Sequence, residues 1–135
     1  MASTTFSGPV TSTNGFIGAL TGNVTGNVTG NVTGDITGGI IGDVQALSGA
    51  GAVNTTTLIT ALTTTGADAL TLADGTNGQI KIITMVVDGG DGTLTPTTFA
   101  NGTTMTFGDA GDTVMLVYTT TLGWTIVSNS GVVVA

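Results

Sequence analysis

An apolar residue recurs at every fourth position through the first third of this chain. The series runs Phe16, Leu20, Val24, Val28, Val32, Ile36 and Ile40, and a glycine follows two places after each member, from Gly18 to Gly42. Alternate side chains of a β-strand share a face, so each apolar residue would share a face with its glycine. This period does not match a helix, and one straight strand over residues 16–47 would span on the order of 90–100 Å, too long for a globular domain. The pattern predicts a β stem that bends, winds or leaves the globule.

A single copy of this stem could neither bury its apolar stripe nor pair its backbone edges. Three copies wound about a shared axis would achieve both. The alternative is a flexible Gly-rich linker, although β-branched residues at one regular phase favour the stem. The residues predicted to assemble the trimeric stem are Leu20, Val24, Val28, Val32, Ile36 and Ile40, with Gly22, Gly26, Gly30 and Gly34 between them.

Residues 1–15 form a polar lead that contains Phe6, Val10 and the turn signal Asn14-Gly15. Two interpretations stay open for this lead. It is either a disordered terminus, since chain ends are often loose, or an extended arm that docks its apolar side chains on a partner.

Alternating apolar and polar residues, punctuated by Asp-Gly and Asn-Gly turns, predict short strands in the remainder of the chain. Residues 48–67 are interpreted as a connector followed by a first strand near Leu58–Leu62. Residues 68–135 are interpreted as a compact antiparallel domain, so the whole chain is predicted to be all-β, a repeat stem followed by a small sandwich or barrel. The candidate strands of that domain are Ala69–Leu72, Gln79–Val87, Thr104–Phe107, Thr113–Tyr118, Trp124–Ser128 and Val132–Val134.

The candidate strand Gln79–Val87 is apolar on both faces, which indicates that both are covered. One face would meet the core of the domain, and the other would meet a neighbouring subunit. A domain of under 70 residues has a marginal core, so association would help to stabilise it. One face carries Ile80, Ile82 and Val86, and the other carries Ile83, Met85 and Val87, which are the predicted subunit-interface residues.

The composition narrows the range of partners. Only 7% of the 135 residues are charged, against about 25% in a typical soluble domain. The acids are eight Asp, Lys81 is the sole Lys or Arg, and the net charge is −7. A single cationic side chain and a negative net charge argue against binding to nucleic-acid phosphates and against a polybasic membrane anchor. We also expect no secretory signal and no membrane-spanning segment, because no basic start or long apolar run is present.

The side chains that most catalysis requires are missing. The sequence has no His, Cys or Glu, so the usual triads and thiolate chemistry are unavailable, and we expect no enzyme activity, metal or cofactor. The segment Asp88–Thr93 superficially resembles a calcium loop but lacks its further acids, and a hairpin loop is favoured; Asp109 and Asp112 carry the same ambiguity. Trp124 and Tyr118 could form a sugar-binding platform, but core positions are favoured for them.

Two parts of the chain, the N-terminal third and the β domain, together resemble a known family. The opening Phe6–Phe16 followed by tandem Gly-Asn-Val-Thr or Gly-Asp-Ile-Thr units resembles small virion proteins of tailed bacteriophages, among them marine and cyanobacterial phages. Leu70–Gly75, Gly78–Lys81 and Met85–Pro96 resemble the β domain of the same proteins.

This resemblance implies a homotrimer, with its N-terminal part or its repeat near the capsid or the tail and its β domain displayed. We expect it on the outer capsid surface, made in the host cytoplasm, with the major capsid protein as its other partner. Phe6, Val10 and Phe16 would then form the arm that docks on the capsid. We expect a capsid decoration protein, of the cement or head-fibre type, that reinforces the shell. The alternatives are a tail or neck fibre whose β domain binds a host glycan, and a secreted bacterial β-solenoid adhesin.

Overall fold

The computed structural model describes residues 35–135, and Gly38–Ala135 form one compact unit within it. The predictions for the N-terminal arm and for most of the repeat lie outside the described residues. No helix in the described part of the chain is long and apolar enough to cross a membrane. The predicted residues outside the description are Phe6, Val10, Phe16, Leu20, Gly22, Val24, Gly26, Val28, Gly30, Val32 and Gly34.

Residues 35–135 form ten β-strands that are divided equally between two sheets. In chain order they are β1 Val44–Ser48, β2 Gly51–Val53, β3 Ile59–Thr63, β4 Asp68–Leu72, β5 Ile80–Val87, β6 Gly92–Pro96, β7 Met105–Phe107, β8 Thr113–Thr119, β9 Gly123–Ser130 and β10 Val133–Val134. The first sheet has the order β1-β3-β5-β8-β9, and the second has the order β2-β4-β6-β7-β10.

The chain passes alternately between the two sheets from β1 to β6, so it winds through three coils with one strand in each sheet. Successive coils pair in parallel: Val44 is opposite Ile59 and Ile59 is opposite Ile82 in the first sheet. The second sheet repeats this arrangement, with Gly51 opposite Leu70. This is the topology of a short β-solenoid, in which each coil rests on its neighbours.

The chain reverses direction after the third coil. Strand β7 pairs antiparallel with β6, and β8 pairs antiparallel with β5. Strands β9 and β10 then extend the two sheets in the same way. The antiparallel strands therefore continue the stack that the coils begin, and five levels of paired strands result.

The core lies between the two sheets and contains inward-facing side chains from both of them. Trp124 and Tyr118 meet in it edge to face, with ring centroids 5.2 Å apart. The indole Nε1 of Trp124 donates a hydrogen bond of 2.9 Å to the carbonyl of Ala73, so the polar end of the largest core side chain is satisfied. The core residues are Val53, Leu62, Leu70, Leu72, Ile83, Met85, Leu94, Met105, Phe107, Val114, Leu116, Tyr118, Trp124 and Val132.

The all-β prediction is confirmed, while two of its details are wrong. The sheets are mixed and neither closes, so the body is not a barrel and only its second half is antiparallel. The predicted boundary at residue 68 divides one unit, because β1, β2 and β3 are hydrogen-bonded to later strands. The connector assigned to residues 48–67 is therefore part of the body.

The end of the predicted stem also differs from the expectation. Residues 35–43 contain no strand, and Ile36 and Ile40 are exposed there. Regular pairing begins at Val44. The single chain therefore has no regular strand between residues 35 and 43, and the trimeric stem, which requires three copies, stays a prediction.

Candidate functional site

The outer surface of the first sheet is the most distinctive surface of the described residues. Along each strand of this sheet, outward side chains alternate with inward ones, and inward residues such as Leu62, Ile83 and Leu116 are fully buried. Because alternate residues of a strand face opposite ways, the remaining positions point outward. We call this surface the apolar face; its apolar members are Val44, Ala46, Ile59, Ala61, Ile80, Ile82, Val86, Met115 and Val117, and threonines occupy most of its other positions.

The register brings the large members of the apolar face into a row across the sheet. Val44 is opposite Ile59, which is opposite Ile82, which is opposite Met115. Directly opposed side chains have Cβ atoms about 4.5–5.5 Å apart and contact each other. The row therefore forms a continuous apolar surface.

The outer surface of the second sheet has a different composition. The outward positions of β4, β6 and β7 are mainly threonines, among them Thr71, Thr95 and Thr106. We call this surface the threonine face. A sheet with one solvated side alternates apolar inward and polar outward residues. Strands β4, β6 and β7 largely follow this rule, while Val133 of the edge strand β10 is an exposed apolar residue on the same face. The apolar face departs from the rule, with Ile80 exposed by 41% and Val86 by 49%.

Charge is confined to other parts of the body. Among residues 35–135, no charged side chain belongs to the apolar face. The single lysine points inward, and all acids except Asp68 lie outside the strands. Asp68 is the first residue of β4, in the other sheet. The acids are Asp35, Asp43, Asp68, Asp74, Asp88, Asp91, Asp109 and Asp112.

The structure corrects the predicted subunit interface. Ile83 and Met85 are 0% and 1% exposed in the chain's own core, so their assignment to an interface is wrong. Val87 is 51% exposed, but it lies beyond a register shift at the end of β5. The side of β5 that remains available carries Ile80 and Ile82. Sequence alone could not choose between two sides that are equally apolar.

The acidic loops have structural roles in the described residues. Asp88 accepts a hydrogen bond from the Gly90 amide at 2.9 Å, and the loop joins β5 to β6 across the two sheets, so it is not a hairpin. Asp112 is buried, and its Oδ2 accepts hydrogen bonds from the amides of Gly108 and Asp109 at 2.8 and 3.1 Å. No cluster of three potential metal ligands occurs in residues 35–135.

The two amphipathic aromatics are core residues, which confirms the favoured prediction for them. Trp124 is 0% exposed and Tyr118 is 7% exposed. Neither ring is available to stack on a sugar. The structure therefore removes the aromatic platform on which a glycan site would have depended.

Sequence reasoning did not anticipate a polar cluster around Lys81. The side chain is fully buried, and its Nζ donates hydrogen bonds to the carbonyl and hydroxyl oxygens of Thr57 at 2.9 and 3.0 Å. Asn54 accepts hydrogen bonds from the Thr57 amide and hydroxyl, and Gln45 accepts one from the Asn54 amide. These contacts fix the connection between β2 and β3. Burial lowers the pKa of Lys81 from 10.5 to about 8.

No family model and no curated protein matches this chain. The fold and the candidate site define a class: an acidic all-β protein in which stacked coils lead into antiparallel strands. The surface that sets it apart is a large uncharged sheet face, which is suited to contact with another protein surface.

Proposed function

We propose that this chain is a non-enzymatic structural protein of a tailed-phage virion. It acts as a trimeric capsid decoration protein, of the cement or head-fibre type, on the outer shell. The single observation that supports this proposal best is the apolar face. An acidic protein with few charges keeps one outer sheet surface free of charge and rich in apolar side chains, which suits it to permanent assembly.

The mechanism of such a protein is mechanical. Its partners are further copies of itself and the major capsid protein, and its contacts join neighbouring shell subunits against the internal pressure of packaged DNA. A trimer presents each shell contact three times. Contacts that are weak singly become strong when linked, because the second and third binding events are intramolecular.

The alternative, a tail or neck fibre that binds a host glycan, has less support. The tip of such a fibre would need exposed aromatic side chains, and Trp124 and Tyr118 lie in the core. In the acidic loops, the carboxylates of Asp88 and Asp112 accept hydrogen bonds from nearby backbone amides.

Copy number in purified virions tests the proposal. Quantitative mass spectrometry against the major capsid protein is expected to give hundreds of copies per particle. Tens of copies or fewer would indicate a tail or neck component, and absence from virions would refute a virion role. Particles that lack the protein are expected to lose DNA at a lower temperature than complete particles. Unchanged heat and osmotic resistance would refute reinforcement.

A further inference from the structure

We propose that copies of this chain associate through the apolar face, with the row Val44, Ile59, Ile82 and Met115 at the centre of the contact. The inference rests on the proposed function only for the number of copies, three. It assigns the contact surface, and it leaves the threonine face and the acidic strand ends for solvent and the shell.

The dimensions of the apolar face suit a protein interface. Five strands at a spacing of about 4.8 Å give a width of about 24 Å, and strands of five to eight residues at about 3.3 Å each give a similar height. The projected area is about 500 Å². This is the same order of magnitude as the roughly 800 Å² that each partner contributes to a standard interface.

The charge distribution favours a second copy as the occupant. Each chain carries a net charge of −7, so two copies repel wherever their acidic loops approach. Residues that lie near a threefold axis meet the same residues of the other two copies, and a face without charges creates no like-charge pair there. A different protein partner would ordinarily be selected by complementary charges, which this face does not offer.

The four-residue spacing of apolar residues in the N-terminal repeat also ends on the apolar face. Ile36, Ile40 and Val44 continue the four-residue apolar series of the repeat, and Val44 is an exposed member of the apolar face. The series that predicts a multi-chain stem therefore ends on the surface that we assign to contact between copies.

The test compares one added carboxylate on each face. Ile82→Asp places the charge at the centre of the apolar face, and Thr95→Asp places the same charge on the threonine face. Light scattering after size exclusion should show a trimer for the unmodified chain and for Thr95→Asp, and a monomer for Ile82→Asp. Because an unpaired carboxylate is strongly disfavoured inside an interface, we expect Ile82→Asp to raise the protein concentration at which half of the trimer dissociates by at least about 100-fold.

Folding and association are separated by a second variant. Ile80 is 41% exposed in the single chain, so Ile80→Asp should leave the fold intact and still weaken association. Circular dichroism and the fluorescence of the buried Trp124 report whether each variant is folded. A folded monomer for either apolar-face variant supports the inference, provided that Thr95→Asp remains a trimer.

Three results would overturn the assignment. The first is that the unmodified chain is a monomer at micromolar concentration. The second is that the Ile82→Asp and Ile80→Asp variants both remain trimers. The third is that Thr95→Asp dissociates as readily as the apolar-face variants. If the apolar-face variants stay trimeric but no longer bind particles, the face contacts the shell, and the virion function survives without this inference. If they dissociate while the chain is absent from virions, the inference survives and the proposed function fails.

Discussion

Lys81 offers a stability measurement whose sign follows directly from the structure. Its ammonium is buried between the sheets with two oxygen atoms of Thr57 as partners. Burial penalises the charged form, and the pKa falls from 10.5 in the unfolded chain to about 8 in the folded one. Replacing the residue by Met, in Lys81→Met, keeps a long unbranched side chain and removes the titrating group.

Between pH 8 and pH 10.5, the unfolded chain holds more protons than the folded chain. The free energy of unfolding therefore rises with pH across this window, and the gain is lost as the pH falls through the folded pKa. Each pKa unit corresponds to about 1.4 kcal/mol, so the full shift corresponds to about 3 kcal/mol. We expect a gain of about 1–3 kcal/mol across the window.

Urea unfolding followed by the fluorescence of Trp124, the only tryptophan, measures this difference at fixed protein concentration. The sequence has no His or Cys, and both proteins share every other titratable side chain, so their difference reports Lys81. The unmodified chain should gain stability from pH 8 to pH 10.5 relative to Lys81→Met. At pH 7 the variant should be equally stable or up to about 2 kcal/mol more stable, since relief of the buried charge exceeds the loss of about 1 kcal/mol of hydrogen bonding.

Parallel pH profiles for the two proteins would refute this reasoning. So would a variant that is several kcal/mol less stable at pH 7. The first result would mean that Lys81 keeps its ordinary pKa in the folded chain. The second would mean that its hydrogen bonds to Thr57 outweigh the cost of its burial.

Three further substitutions test the packing of the body. Gly131→Ala and Gly78→Ala both place Ala at a positive φ, 82° and 84°, but only the Cβ at residue 131 would collide with Asp112. In thermal unfolding, we expect Gly78→Ala to cost about 1 kcal/mol and Gly131→Ala to cost about 2–4 kcal/mol. Equal costs would show that Asp112 moves aside freely. Trp124→Phe removes the indole hydrogen bond and part of the core volume, so it should lower the free energy of unfolding by about 2 kcal/mol; no loss in urea titrations would contradict the core position of the ring.

The central strands could be predicted from sequence because their own residues specify them. Strand β5 matches its predicted segment, Gln79–Val87, to within one residue, and β8 matches its prediction equally well. Both are long, β-branched and bounded by turn residues. The strands that were missed are short or lack such signals: β2 is Gly51–Val53, and β6 begins at a glycine and ends at Pro96.

The topology and the correct side of β5 depend on contacts that a local pattern does not contain. Parallel pairing of β1 with β3 depends on residues 15 positions apart in the register. The inward position of Lys81 contradicts the usual preference of a charged residue for solvent, and the Thr57 oxygens make it tolerable. That position reveals which side of β5 faces the core, since Ile83 and Met85 share its parity. Neither the parallel pairing of the coils nor the inward side of β5 could be obtained from the sequence of one strand alone.

The stacked coils make the height of this protein adjustable in whole units. The step from Val44 to Ile59 takes 15 residues and adds one strand to each sheet, which is about 4.8 Å of height. Gain or loss of that segment would leave the pairing of every later coil unchanged, because each coil contacts only its neighbours. Each added coil would also widen the apolar face by one strand. Evolution could therefore change the length of the body and the strength of its self-association together, by duplicating or deleting a single short segment of the gene.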